Sequence, residues 1–595
     1  MPTHTINLGN GSNTFTVADD DYFIFGGDGS NTLTFGNGTD QLSLGNGNNT
    51  LTLGGGAVSI TAGSGNNTIT TKGTGTNTVR LTSGNNTVSL GDGPSVIVAG
   101  DGLNTITTGN GNDTITLGDG FDQVTTGNGN SRIVVGNGAG DTVVVGTGAN
   151  SITLGTGSAD IVHAGSGGNT VFAYASTIGG DSIQGGLSTG NGAQNKLVVV
   201  TAGVIDPSGV SGFETFQLSS GSPNLLTLSN ANFARLPGAL ITVLNGNGGN
   251  NIDASALAAA NAVAIHSGTG ADQLTGGAGN DLFYLGMGRA TVNGSSGLNT
   301  AIFSNPMSSY VVTSQLDGVH ALSQTTADTM VNIGRLTFSD GSFAAPTASA
   351  DPLVDYAYYY AHNPDVRAAG LDASAHYATY GRFEGRNPNG MFDTNYYLTQ
   401  NADVRAAGID PLKHFENYGW KEGREPSLLF SDAKYLAANS DLRGVGLNPL
   451  QHYLEYGISE GRMAFLTGAS APADILVDPT YYDKQLGATL LPTGVAAQQQ
   501  AAASYDQSGW TKGLNPDAFF DTNYYLIHNA DVAAAHIDPL RHYETYGWME
   551  HRDPSAAFST DKYLTAYADV KAAGLNPLVH YVQYGQGEGR TAFAA

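Results

Sequence analysis

The chain of 595 residues contains no cysteine. Disulfide stapling is therefore excluded, and any cross-linking of its parts must use something else, such as metal ions. Basic residues are scarce: 24 Lys and Arg stand against 50 Asp and Glu, a formal net charge of −26. That balance argues against nucleic acid and anionic lipid as partners and favours cations. No apolar run is long enough to span a bilayer, so no membrane insertion is expected. The opening "MPTHTINLGNGSNTF" has neither a basic n-region nor an apolar h-region, so a cleaved secretory signal is not expected there. No H-E-x-x-H occurs, which removes the common zinc-protease signature.

What is abundant is glycine, 84 residues of it, and in the first half it is periodic. In "GNGNDTITLGDGFDQVTTGNGN" (109–130) a unit U-G-x-G-x-[N/D]-x-U-x repeats every nine residues, where U is apolar or Thr. Units begin at Gly27, Gly36, Gly45, Gly54 and Gly63, and again from Gly91 to Gly136, with single-residue insertions near 72, 140 and 158. Each unit reads as a tight glycine turn followed by a short alternating strand. Such a strand cannot bury itself, but stacked coils can. The prediction is a parallel β-roll with two units per coil and Leu33, Leu42, Leu51, Ile69, Ile106, Ile115 and Val124 in a thin core.

That geometry puts same-side turns about 18 residues apart. One side carries Asn13, Asn31, Asn49, Asn67, Asn86, Asn104, Asp122, Asp141 and Asp160; the other carries Asp40, Val58, Asn77, Ser95, Asp113, Ser131, Asn150 and Asn169. Stacked coils lie roughly 4.8 Å apart. Carboxylates at that spacing repel unless cations lie between them, whereas Asn amides can donate to one another. The early coils are therefore expected to form a metal-independent ladder, and the later ones to need a cation. Turn chemistry alone is the plainer alternative for these Asn and Asp residues.

Residues 267–286, "SGTGADQLTGGAGNDLFYLG", resemble the nonapeptide G-G-x-G-x-D-x-U-x of the RTX calcium-binding family. The first 175 residues resemble it more loosely, because the first Gly of each unit is usually apolar or Thr. The resemblance implies Ca²⁺ held by Asp carboxylates and turn carbonyls, chemistry that suits a hard cation. The expected ligands are Asp122, Asp141, Asp160, Asp272 and Asp281, with Asp113 and Asp40 as further candidates. It also implies type I secretion with an uncleaved C-terminal signal, and so an extracellular or cell-surface location.

Residues 176–300 keep strand character with longer connections and are expected to continue the β-solenoid with RTX calcium-binding repeats; "GGDSIQGG" and "VSGFETFQLSS" resemble segments between RTX blocks. Residues 301–345 read as a short β module capping the stack, with an Asp-Gly turn in "RLTFSDG".

After residue 350 glycine thins and a 38-residue unit takes over, as in "FDTNYYLTQNADVRAAGIDPLKHFENYGWKEGREPSLL" (392–429). Six units are expected in 351–595, the fourth degenerate and carrying 14 extra residues between Gly457 and Gly509. Each reads as short helices, with Asp393 and Asp410 as N-caps, Pro411 at N1 and Gly408 ending a helix. Leu412, Phe415 and Tyr418 are expected on one face, closed by Gly419. The unit resembles a module found in large bacterial surface proteins and beside polysaccharide-building domains. One His recurs per unit and is expected to pack on a neighbouring Tyr. Trp420, Trp510 and Trp548 follow the recurring Gly; exposed, they are candidate sugar-stacking residues, and buried, they pack one repeat on the next.

The fold class is thus multidomain, β then α: a parallel β-roll or β-helix solenoid, then an array of short-helix repeats. The function expected is not enzymatic: a secreted, Ca²⁺-dependent structural protein that assembles with copies of itself as a surface layer or matrix fibre. A glycan-binding adhesin or biofilm protein, partnered by cell-surface polysaccharide, is the alternative, and a polysaccharide-modifying enzyme the remote one.

Overall fold

A computed structural model describes residues 2–594 apart from 188–193, 237–238, 324, 463, 465–474, 487–497, 499–500, 503 and 536. The chain divides into two compact units, Met1–Phe303 with Met330–Thr337, and Ser304–Thr329 with Phe338–Ala595.

The first unit is a parallel β-solenoid of about 15 turns. Consecutive strands alternate between two faces. On one face Thr105–Thr107 pairs with Gln123–Thr125, setting Ile106 against Val124. On the other Ser95–Ala99 pairs with Thr114–Leu117, setting Ile97 against Ile115. Partners stand 18 residues apart in both, so one coil holds two nine-residue units, as predicted. Leu33, Leu42, Leu51, Ile69, Ile106, Ile115 and Val124 are all buried between the faces. In strands such as Thr-Ile-Thr only the middle side chain points inward, so a single apolar residue per strand suffices for the thin core.

The turns stack backbone on backbone. A Cβ added to Gly129 would lie 1.9 Å from the carbonyl oxygen of Gly111, one coil below. Glycine is required there because a side chain would point along the stack. The amide ladder continues through the turns, with Gly127 N–H donating to the Gly109 carbonyl at 2.9 Å.

Beyond residue 176 the solenoid continues. Lys196–Val199, Thr215–Gln217, Leu240–Leu244, Ala262–His266, Leu282–Leu285 and Thr300–Phe303 extend the same face in parallel register. Arg335–Phe338 then pairs in parallel with Thr300–Phe303.

The second unit opens with the antiparallel hairpin Val311–Gln315 and Gly318–Leu322. Asp355 ties this hairpin to the first helix, Tyr356–His362. Its carboxylate accepts from the Val312 amide at 2.9 Å and from the helix amides of Ala357 and Tyr358.

Each 38-residue unit then builds the same motif. In the second, Thr394–Gln400 is capped by Asp393, Ala402–Ala407 ends at Gly408 (φ 65°), and Pro411–His414 is capped by Asp410. This last helix runs into a wide turn, Phe415–Gly419, closed by the Trp420 amide donating to the Phe415 carbonyl. That five-residue step corrects one expectation. Leu412 and Phe415 are buried together, but Tyr418 is swung out to 61% exposure, because the i→i+5 turn advances less per residue than an α-helix.

The recurring His has a defined role. The buried Tyr397 hydroxyl meets His414 Nδ1 at 2.9 Å. The same pairing joins Tyr359 to His376, Tyr435 to His452, Tyr525 to His542 and Tyr563 to His580 at 2.9–3.1 Å. The recurring Gly serves that bond: a Cβ on Gly419 would lie 2.1 Å from the Tyr397 hydroxyl oxygen. In the fourth unit Ser504 takes the place of His, 3.3 Å from the Tyr482 hydroxyl.

Candidate metal centre

The long column predicted from the 18-residue spacing is a continuous hydrogen-bonded run. Asn13 Nδ2 donates to Asn31 Oδ1 at 2.8 Å, Asn31 to Asn49 at 2.8 Å, Asn49 to Asn67 at 2.9 Å, Asn67 to Asn86 at 2.9 Å and Asn86 to Asn104 at 2.9 Å. The same Nδ2 atoms also donate to a glycine carbonyl of their own turn: Asn31 to Gly29, Asn49 to Gly47 and Asn67 to Gly65, each at 3.0 Å. Every amide from Asn31 to Asn86 is buried and uses its two protons on two oxygens, and Asn104 reaches three.

At Asp122 the chemistry changes while the parallel register continues. Asn104 Nδ2 still donates to Asp122 Oδ1 at 2.9 Å. The Asp122 amide donates to Asp141 Oδ1 at 2.8 Å, the Asp141 amide to Asp160 at 2.9 Å and the Asp160 amide to Asp181 at 3.1 Å. The second carboxylate oxygen occupies the role that Nδ2 fills in the Asn coils, but it has no proton to give. Oδ2 of Asp122, Asp141, Asp160 and Asp181 is buried without a hydrogen-bond partner in each case. A carboxylate there can donate neither to a glycine carbonyl of its own turn nor to the Oδ1 of the next coil. Such a set of hard oxygens, stacked coil on coil, fits Ca²⁺.

The electrostatics agree with the geometry. Burial raises the carboxyl of Asp141 to about 7, and Asp160 and Asp122 on either side add to the effect. Burial likewise raises Asp181 to about 6, with Asp160 contributing, and pushes Asp122 and Asp160 up. A group that resists ionisation in the dry turn is one that a cation would stabilise.

On the opposite side Asp40 accepts from the Tyr22 amide at 3.1 Å and Asp113 from the Ser95 amide at 2.9 Å. Each again has a buried, unpartnered Oδ2. Their column neighbours are Val58, Ser95 and Ser131, so these carboxylates are isolated rather than stacked. Burial raises Asp40 to about 6 and Asp113 above its usual range. Asp272 and Asp281, in the stretch nearest the G-G-x-G-x-D pattern, use both oxygens on protein. Asp272 accepts from the Asn250 amide (2.7 Å) and the Gly268 amide (2.9 Å), and Asp281 from the Val263 and Gly277 amides (2.8 Å each). The unpartnered oxygens lie in the looser repeats.

Two features escaped sequence reasoning. Asp181 continues the main column, because "GGDSIQGG", in the stretch expected to continue the solenoid, forms a coil that stacks on the one before it. A second, exposed ladder runs along the turn tips: Asp92 Oδ1 accepts from the Asn110 amide and Asn110 Oδ1 from the Asn128 amide, while Asp101, Asp119 and Asn137 form the matching run. Its signal was the middle residue of G-N-G and G-D-G.

The three tryptophans are half-buried, and each indole N–H donates to a carbonyl four residues back: Trp420 to Glu416 (3.0 Å), Trp510 to Asp506 (3.1 Å) and Trp548 to Glu544 (3.1 Å). The fully offered aromatic of these turns is the preceding tyrosine, with Tyr380, Tyr418, Tyr546 and Tyr584 all more than half exposed.

A parallel roll whose stacked glycine turns enclose columns of carboxylate and carbonyl oxygens defines a calcium-type repeat protein. The match to known families names the repeat: the RTX calcium-binding nonapeptide repeat (4 copies) fits residues 7–42, 44–72, 91–124, 98–133 and 264–300. Over those residues the chain carries RTX nonapeptide repeats, which are of the calcium-binding kind. Those segments include Asp40, Asp113, Asp122, Asp272 and Asp281; Asp141, Asp160 and Asp181 lie in coils that the match does not reach. No curated protein and no solved structure matches the chain. RTX-repeat proteins typically leave the cell by type I secretion, and among the described residues no helix is long and apolar enough to cross a membrane.

Proposed function

We propose that this protein is a secreted structural component that folds fully on meeting extracellular calcium and then assembles with copies of itself, as a surface layer or matrix fibre. The observation that carries the reading is the run Asp122, Asp141, Asp160 and Asp181, four buried carboxylates in consecutive coils, each with one unpartnered oxygen. At low calcium these coils hold like charge without counter-charge; at millimolar calcium each ion supplies two positive charges and joins neighbouring turns. The strong acidity of the chain, −26 overall, works in the same direction, since bound cations lower the repulsion between molecules. Light scattering and electron microscopy across a calcium titration test this. Assembly is expected to follow calcium in the wild type and to lose that dependence in Asp122→Asn/Asp141→Asn/Asp160→Asn/Asp181→Asn. Equal assembly of the wild type in chelator and in calcium sinks the link.

The second reading, a glycan-binding adhesin, is favoured by one observation: an exposed tyrosine recurs on each regular helical unit, beside the half-buried Trp420 and Trp548 in two of them. Retention on purified surface polysaccharide, lost in Tyr418→Ala/Tyr546→Ala, would support it over assembly.

A further inference from the structure

We propose that Asp317, His320 and Glu455 form a transition-metal site, chemically distinct from the all-oxygen turns of the roll and located wholly within the second unit. Asp317 sits in the tip of the hairpin Val311–Gln315/Gly318–Leu322, and His320 lies three residues on, in the returning strand. Glu455 comes from the wide turn Tyr453–Gly457 of the third helical unit, more than 130 residues away in sequence. The fold brings one ligand atom of each within 4.8 Å of the others.

Three observations argue that this is more than a histidine oriented by an aspartate. First, His320 is only 3% exposed, yet its Nε2 is directed at Asp317 Oδ1, 2.8 Å away, on the side where Glu455 approaches. Second, two carboxylates converge there, and among the described residues neither has an ion pair with lysine or arginine. Like charges so close are unfavourable unless a cation lies between them. Third, the surroundings supply the support that metal ligands need. The Tyr456 ring stands edge-on to His320 with centroids 6.2 Å apart. Asp317 and Glu455 also border an open cavity of about 370 Å³, together with Gln315, Gln451 and His452, which gives an ion an entry path and room for water ligands.

The donor set selects the ion. One imidazole nitrogen with two carboxylates suits Zn²⁺ and its neighbours such as Co²⁺, whereas Ca²⁺ prefers oxygen alone. A bound ion would clamp the hairpin tip to the third helical unit, where Gln451 Nε2 and Gln315 Oε1 already meet at 3.5 Å.

The test uses the full chain in saturating Ca²⁺, so that the oxygen sites of the roll are filled, with Zn²⁺ titrated by calorimetry and Co²⁺ by visible absorption. The expected result is uptake of one ion, with a cobalt spectrum showing nitrogen and oxygen ligation. Asp317→Asn and Glu455→Gln, which alter groups at the surface, should each weaken Zn²⁺ binding by about ten-fold or more while leaving the zinc-free melting curve unchanged. His320→Ala should abolish the cobalt spectrum; because this residue is buried, the two carboxylate variants decide the matter if His320→Ala fails to fold. No Zn²⁺ uptake by the wild type in calcium, or equal uptake by the Asp317→Asn/Glu455→Gln double variant, overturns the proposal.

Discussion

The coils that carry Asn31 to Asn104 and those that carry Asp122 to Asp181 run on in one parallel register, although the turns before Asp141, Asp160 and Asp181 are longer and contain Gly140 (φ 82°), Ala159 (φ 65°) and the short helix Ile178–Gly180. They differ at the column position by one atom, nitrogen against oxygen. In the first group the side-chain NH₂ satisfies a carbonyl of its own turn and the oxygen of the next coil, so the stack is closed within the protein. In the second that atom is an oxygen with nothing to donate. The asparagine amide and the calcium ion are thus alternative solutions to one problem, a line of oxygens in a dry turn. A single chain can thus hold a self-sufficient segment and a cation-dependent one in one continuous roll.

The largest test of this comparison makes the two groups alike. Converting Asp122, Asp141, Asp160 and Asp181 to Asn should remove the response to chelator. In the wild type, stripping calcium leaves several buried carboxylates uncompensated. The expected loss is on the order of 5 kcal/mol, or roughly 15 °C in melting temperature. In the fourfold variant, calorimetric melting in chelator and in calcium should coincide. A wild type that melts identically in both would break the comparison outright.

Protons can stand in for calcium, which gives a second test. Asp141 is raised to about 7 and Asp181 to about 6 by burial, above an unfolded value near 4. Below pH 4 both states are protonated and these groups add no pH dependence. As pH rises from about 4 to 7 the unfolded chain gives up its protons first, so calcium-free stability should fall across that window and level off above it. The fall should be a few kcal/mol, roughly 2–4 for Asp141. Calcium should flatten the slope, and calcium binding near pH 6 should release protons, readable by calorimetry in buffers of different ionisation enthalpy. Urea midpoints that rise with pH in chelator would contradict the burial of these carboxylates.

A third test runs in the opposite direction. Asn67→Asp should plant one unpartnered oxygen in the Asn ladder and interrupt the donation to Asn86 and Gly65. The expected cost is about 2 kcal/mol without calcium, partly recovered when calcium is added. Recovery by calcium distinguishes a metal-accepting turn from a merely damaged one.

Much of this architecture was legible in the sequence because the roll is periodic. A nine-residue spacing with one inward apolar residue per strand determines which residues stack, so the column from Asn13 to Asp160 could be written down before any coordinate. Where the period stretches, spacing no longer places the column: from Asn169 the next member is Asn195, 26 residues on, and Asp181 follows Asp160 by 21. The rank of the candidate aspartates was also hard to read. The best match to the family pattern, at Asp272 and Asp281, satisfies both oxygens with backbone amides, while looser repeats hold the unpartnered ones. Sequence spacing reports where a carboxylate stands and is silent on which amide its second oxygen meets. The cluster of Asp317, His320 and Glu455 had no periodic signal, since its members come from two unrelated elements.

The helical array offers the smallest test and the sharpest contrast, because its repeating contact is neither an amide ladder nor an ion site. The buried Tyr397 hydroxyl bonds to His414 Nδ1, and Gly419 leaves the space in which that hydroxyl sits. Gly419→Ala places a methyl where the hydroxyl oxygen is, 2.1 Å away, and is expected to cost about 2 kcal/mol through forced repacking. Tyr397→Phe removes the hydroxyl and is expected to cost about 1 kcal/mol for the lost hydrogen bond. The two should not add. With the hydroxyl gone the methyl gains most of the room it lacked, so the double variant should cost less than the sum of the singles. Urea unfolding of the four proteins measures the cycle, and repeating it in chelator measures its independence from calcium. An additive cycle would mean that Gly419 is needed for the wide turn itself rather than for Tyr397. A cycle that changes with calcium would mean that the array shares the roll's dependence on the ion.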